Sequence, residues 1–439
     1  MDEVHAAPNL SAPISTTVSD GFLLGLESLM GRKDQGHHLA VTVLELEGTP
    51  DPEALKRVAT TLGHRHPIIH ARLRRSLRTF EAAWHPTRPA PIPLHKHDAS
   101  DLDSLIHTLL NEPSVDIHAE GPNIELHVVT LAPDRWALLI LWPHALLDGI
   151  GINKFIAELA GGDPGVAHGE TCQEAGSPGT LWKRAEPVIK EMRSFPSHRI
   201  RSLHQKGSKP TGNRFKVFRF TRTESETIRS KMASTAGELL LLPYYACCAA
   251  RATRAVIASR HPDEEVPILL SLPVQRQPNP AKRPLFHNHM VAYSLLLTAE
   301  DLQELPSATR ILYKKYADFL RRKLPAAMEP LTKLMERCPS RFYLKPATFY
   351  LNGEICSLFH SHTGQFLPGV THLFGASLIN GYHVPSVSSP PGIGIFFSEY
   401  DAQLSCTVSW KDGSLNDEEF HLLQSTLLED LGATSISSP

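Results

Sequence analysis

Leu138-Leu-Ile-Leu-Trp-Pro-His144-Ala-Leu-Leu-Asp148-Gly149-Ile-Gly151 combines a strand, a histidine at its tip and a turn into a helix. The apolar run ending at Trp142 predicts a buried strand, and the pattern turns helical after Asp148-Gly149. A histidine at a strand tip can be held in one tautomer by backbone and can face a cleft. Its unperturbed pKa of about 6.5 suits a general base at neutral pH. The His-x-x-x-Asp spacing is weak alone, since it recurs at His97 to Asp101 inside a predicted loop. A histidine at a strand end can also be purely structural.

Working toward the N-terminus, Trp136 to Trp142 pairs by pattern with Asn123 to Leu131 across a Pro133-Asp134 turn. A helix is predicted around Leu102 to Leu110, after a Pro-rich loop, RPAPIPLHKHD. Two short strands precede it, near Ile68 to Leu73 and Thr79 to Trp84. Pro50-Asp51-Pro52 opens a helix to about Gly63 whose Ala54, Leu55, Val58, Ala59 and Leu62 form one stripe. His38 to Leu46 reads as a strand, and the helix after Gly149 runs through Leu159. Periodicity fades from Gly161 to Asn213 apart from a helix around Leu181 to Met192. Strands and helices then resume: strands near Phe215, Val266, Met290, Glu354, Gly392 and Gln403, and helices near Glu224, Gly237, Asp301 and Leu415. The expected division is 1–160, a crossover 161–213, and 214–439, each outer segment mixing a sheet with helices.

The 439 residues suit two domains of about 200 residues each. At 41% hydrophobic and 21% charged, the chain can bury such cores. Lys+Arg total 44 against 46 Asp+Glu, so no global field favours nucleic acid. The acidic opening, MDEVHAAPNLSAPIS, does not resemble a signal peptide, and no apolar run approaches a membrane span. Six cysteines without CxxC spacing read as reduced, mostly buried thiols. The expectation is a cytoplasmic monomer.

With these elements in place, the segment around His144 resembles the HxxxDG signature of the chloramphenicol acetyltransferase and condensation-domain superfamily. Alcohol acetyltransferases, wax-ester synthases, plant BAHD enzymes and polyketide-associated acyltransferases also belong to it. Further landmarks fall in the family's order. Gly63-His-Arg-His66-Pro67 through Arg72 resembles its "RHPxLR" corner, and Ser271-Leu-Pro273-Val-Gln-Arg276 resembles "PVxxR". Asn288 sits where a Gly-Asn loop is usual, Phe359 through Gly364 resembles "SNxxG", and Gly394 to Trp410 resembles the last hairpin. There are departures: Pro143 replaces the first His of HHxxxDG, His287 the loop glycine, and His362 the Asn of "SN"; "DFGWG" is absent.

The resemblance implies an α/β fold of mixed sheets: two similar domains forming a pseudo-dimer around a central tunnel. It implies an acyl thioester donor, either acyl-CoA or an acyl group on the phosphopantetheine of a carrier protein. It implies an alcohol or amine acceptor, with His144 as general base and no tightly bound cofactor or metal. Ester formation is favoured over amide formation. Asp148 and Gly149 would shape the loop, Asp148 by pairing with Arg276. Ser361, Thr363 and Asn288, with the backbone N–H groups near Gly149, are candidate oxyanion donors or positioning groups.

Other features support competing readings. Arg72, Arg74, Arg75 and Arg78, the basic stretch Arg193 to Arg214 and the helix Arg310 to Lys323 could meet phosphates, a carrier protein or anionic lipid. Solvated faces are the plainer account. The pairs His64/His66, His95/His97, His287/His289 and His360/His362 have strand spacing for zinc, which would suit a metal-dependent hydrolase. No HExxH accompanies them, and no GxSxG, Walker loop or strand-borne GxGxxG occurs. A non-catalytic member binding a carrier protein or lipid is the remaining alternative.

Overall fold

The apolar run around His144's strand folds as expected. Arg135–Pro143 is buried at every position after the first and lies inside a six-stranded sheet. The order is His372–Leu373, Ala376–Pro385, Leu39–Glu47, Arg135–Pro143, Glu125–Ala132, Leu94–Asp98. Neighbours are antiparallel except the last pair, which is parallel. The computed structural model describes residues 12–98, 101–163, 176–195, 198–205, 207, 212–237, 240–275, 283–339 and 344–433.

The second sheet runs Met290–Leu297, Ile268–Gln275, Leu358–Gln365, Ile393–Tyr400, Gln403–Lys411, Asn213–Arg219. Its central pairings are parallel and its outer ones antiparallel. The long helix Leu241–Arg260 and the closing helix Asp417–Leu431 pack in its core with Leu270, Ile395 and Val408. In the first sheet the helices Pro52–Arg65 and Gly149–Leu159 cover one face, together with Leu138, Ile140 and Trp142. The helix Leu102–Asn111 covers the other, against Leu139 and Leu141. Each fully buried Leu or Ile is worth about 1.5–3 kcal/mol, so this strand is a rigid mount for the residue at its tip.

The fold class is the expected one: two six-stranded mixed sheets, each covered by helices, with a small antiparallel sheet of Ile14–Ser15, Ala82–Pro86 and Ala71–Arg75 beside them. Several local readings are corrected. Ile68 and Ile69 belong to a short 3-10 turn, Pro67–His70, and the strand begins only at Ala71. The Pro-rich loop ends in the edge strand Leu94–Asp98, so His97 is on a strand. The strand expected from Glu354 starts at Leu358, and the helix expected over 301–323 continues, after a left-handed Lys323, as Leu324–Glu336. The sheets also do not follow the segments 1–160 and 214–439 throughout. Ala376–Pro385 leaves the second half and pairs with Leu39–Glu47 along its length.

Candidate active site

His144 stands immediately after its strand, with its backbone N–H donated to the His38 carbonyl at 3.0 Å. Its ring is stacked on His38, 5.2 Å between centroids and 9° between planes, and lies 5.4 Å from the Trp142 ring. The Trp142 indole N–H donates to Thr42 Oγ1 at 2.9 Å, and Thr42 Oγ1 lies 2.9 Å from His383 Nδ1. Burial pushes the His144 pKa down by more than its own carbonyl, Asp148, the Leu147 carbonyl and Asn288 push it up. The ring is therefore neutral at pH 7, the form a base requires.

The loop after His144 is held from two sides. Asp148 Oδ1 accepts the N–H groups of Ile150 (3.0 Å) and Gly151 (2.8 Å), capping the helix Gly149–Leu159. Asp148 Oδ2 accepts the N–H of His289 at 3.0 Å. At its far end the same helix offers Glu158 to His66 (2.8 Å) and Arg65 (2.7 Å), which gives the Arg65-His66-Pro67 corner its work. Arg276, expected as the partner of Asp148, lies outside the described residues.

The loop at 287–289 locks onto the histidine loop. The His287 N–H donates to the Leu146 carbonyl at 2.8 Å, and the Asn288 amide donates to the His144 carbonyl at 3.0 Å. The same amide group donates to Asp20 Oδ1 at 2.9 Å. Both hydrogens of the Asn288 amide, expected to serve as an oxyanion donor or a positioning group, are thus engaged by the His144 carbonyl and by Asp20. His287, in the place of a glycine, has φ +77°; histidine tolerates that region better than most residues, and its Nδ1 lies 3.2 Å from Asp20 Oδ2. Burial pushes the Asp20 carboxyl up, but His287, Asn288 and the Thr17 N–H outweigh it and hold it below the usual carboxylate range.

Residues of both sheets and of the helix Val18–Arg32 enclose a cavity of about 190 Å³. Trp142, His144 and His383 line it from one side, and Ser271, Ser361 and Thr363 from the other. Gly149 meets Thr363 across it: a Cβ at 149 would stand 3.1 Å from Thr363 Cγ2. Among the described residues the Ser361 hydroxyl makes no hydrogen bond, whereas Thr363 Oγ1 donates weakly to the Phe397 carbonyl at 3.4 Å. Ser361 is thus the freer donor. A second cavity of about 100 Å³, lined mostly by apolar side chains such as Phe195, Met328 and Met335, shares Ser19, Phe22, Ser271, Met290 and Ala292 with the first.

Sequence reasoning missed Asp20, His38, Thr42 and His383. The only advance signal was Thr17-x-x-Asp20, the spacing of a capping box, which the structure forms. Of the paired histidines, His360 and His362 are cavity-lining and driven by burial to pKa values of about 3 and about 4. His64 is exposed on a helix, and His95 and His97 lie on the edge strand.

No family model matches the chain, and no curated protein matches it. Solved structures do. Trichothecene 15-O-acetyltransferase from Fusarium sporotrichioides superposes with a TM-score of 0.69 at 14% identity, covering 98% of each chain. The first condensation domain of the calcium-dependent antibiotic synthetase gives 0.68 at 14%, again covering 98% of each. The wax ester synthase/diacylglycerol acyltransferase from Marinobacter aquaeolei gives 0.57 at 16%, covering 96% of this chain and 100% of that one. Two helix-covered mixed sheets, a histidine at a strand tip between them and these superpositions converge: the chain has the fold of the chloramphenicol acetyltransferase-like acyltransferases and condensation domains.

Proposed function

We propose that this protein transfers an acyl group from a thioester to an acceptor hydroxyl, forming an ester, with His144 as general base. The observation that carries the reading is a buried, neutral His144 facing a cavity that both sheets build. Its Nδ1 is enclosed by protein, which leaves Nε2 for the substrate. Nε2 takes the hydroxyl proton as the oxygen attacks the thioester carbonyl. A C–O bond forms, and charge collects on the carbonyl oxygen, where the Ser361 hydroxyl is the favoured donor and Thr363 the second. The C–S bond then breaks, and the leaving thiolate takes the proton back from His144. The donor is acyl-CoA or an acylated carrier protein, and no step needs a metal. Asp148, Gly149, Asn288 and Asp20 act through loop position. Among the described residues no helix is long and apolar enough to cross a membrane.

Ester formation is favoured because two of the similar structures, the 15-O-acetyltransferase and the wax ester synthase, are named for transfer to oxygen. A condensation domain is equally similar in fold, and amide formation would use the same base. The test is a thiol-release screen with short, medium and long acyl-CoAs and an acylated carrier protein, each against alcohol and amine pools. Release should depend on an alcohol; dependence on an amine would move the reading to amide formation. His144→Ala should fold and lose about 10²-fold or more in rate, and the acid limb of kcat/KM should lie below pH 6.5 because the folded pKa is depressed. A folded His144→Ala protein with full activity would remove the mechanism.

A further inference from the structure

The outer edge of the first sheet holds a second cluster, which the proposed reaction does not use. Leu94–Asp98 pairs in parallel with Glu125–Ala132, His95 standing opposite His127. Alternation along the strand puts Glu125 and His127 on one face. His127 Nε2 lies 3.5 Å and His95 Nε2 3.7 Å from Glu125 Oε2, and one ligand atom from each of the three residues lies within 4.8 Å of the others. Ligand atoms held about 2.0–2.1 Å from a tetrahedral zinc ion stand roughly 3.3–3.4 Å apart; the half-exposed His95 ring, stacked on His127 at 4.7 Å between centroids and 18° between planes, must turn out of that stack to aim its Nε2 at the same ion.

Glu125 and His127 are only 4% and 3% exposed, and among the described residues the buried His127 Nε2, facing Glu125 Oε2 at 3.5 Å, makes no hydrogen bond. The buried carboxylate calls for a positive charge beside it, which either a proton on His127 or a shared cation supplies. Ser114 Oγ donates to Glu125 Oε2 at 2.5 Å, fixing the carboxylate. His97 Nε2 lies 3.1 Å from His127 Nδ1. With Nδ1–H of His127 donating to His97, the Nε2 lone pair is directed at the ion, the usual outer support of a metal-bound histidine.

We propose that His95, Glu125 and His127 bind one zinc-type divalent cation, with water in the fourth position. Two imidazoles and one carboxylate select such an ion over magnesium or calcium. The site is separate from the cavity of His144. Glu125 and His127 stand opposite Leu141 and Leu139, which pack on one face of the sheet, whereas Ala40 and Trp142 line the cavity from the other. The ion therefore clips the edge strand to its neighbour and takes no part in acyl transfer.

The test uses the tag-free full chain, stripped with a chelator and dialysed against zinc, with metal content and thermal midpoint measured. One equivalent of zinc should bind, and zinc at about 100 times its Kd should raise the midpoint by about 3 °C. His95→Ala removes a side chain that is 45% exposed and should fold while losing both the equivalent and the shift. Glu125→Gln should lose the equivalent as well, and His144→Ala should keep it. A wild-type chain that stays metal-free overturns the proposal, and so does zinc that survives in both His95→Ala and Glu125→Gln.

Discussion

Asp148 shows how one side chain can serve two loops. Oδ1 caps the helix at Gly149, and Oδ2 receives the N–H of the loop that grips the His144 carbonyl. If capping were its whole role, Asp148→Asn would be nearly silent, because Asn caps about as well as Asp. Here, one oxygen turned to the helix leaves the amide NH₂ facing the His289 N–H, donor against donor. Asp148→Asn should therefore cost about 1–3 kcal/mol and lower the rate with it, and Asp148→Ala should cost at least as much. Denaturant midpoints and rates for the two variants check this. An Asn variant as stable and active as the parent would return Asp148 to the rank of a simple cap.

Among the elements, the strand Met290–Leu297 connects the two cavities, since Ala292 lines both. Ala292→Phe should narrow the passage into the apolar chamber. Its effect should grow with acyl length, with kcat/KM for a long acyl donor falling about 10-fold or more relative to a short one; an equal loss for all donors would mean that the chamber does not receive the acyl chain. The strand, histidine and capped helix around His144 were legible because each is a local unit: an apolar run, a polar tip, an Asp-Gly cap. The helix Pro52–Arg65 was legible for the same reason. Ala376–Pro385 was not, because its Asn380-Gly381 pair reads as a turn. In the fold Gly381 stays within the strand, where a Cβ would stand 2.2 Å from Phe366 Cε1. The glycine answers to a ring brought there by the rest of the fold, and no local pattern announces that. Asp20 and Asn288 are similarly obscure, since their bond joins positions 268 residues apart.

Across the whole molecule, the neutral histidines around the cavity make folding sensitive to acid. Burial brings His360 and His383 to about 3 and His362 to about 4, against about 6.5 in an unfolded chain. Their folded values are depressed, so as pH falls the unfolded chain takes up protons first. The stability they contribute is intact above pH 6.5 and is lost as pH falls through the interval from 6.5 toward their folded values. At pH 5 the loss is about 2 kcal/mol for each. Denaturant midpoints should drop clearly between pH 7 and pH 5, and a flat profile over that range would contradict the buried, neutral state. The strand that crosses from the second half into the first sheet has a consequence for synthesis. During translation Leu39–Glu47 emerges early, yet its partner Ala376–Pro385 follows roughly 330 residues later. At about 5–20 residues per second the ribosome leaves that strand's edge unpaired for roughly 20–70 s, a template for wrong pairing throughout. Yield of the native protein should therefore depend on chaperone supply, and a polypeptide cut before residue 376 has nothing to close its first sheet.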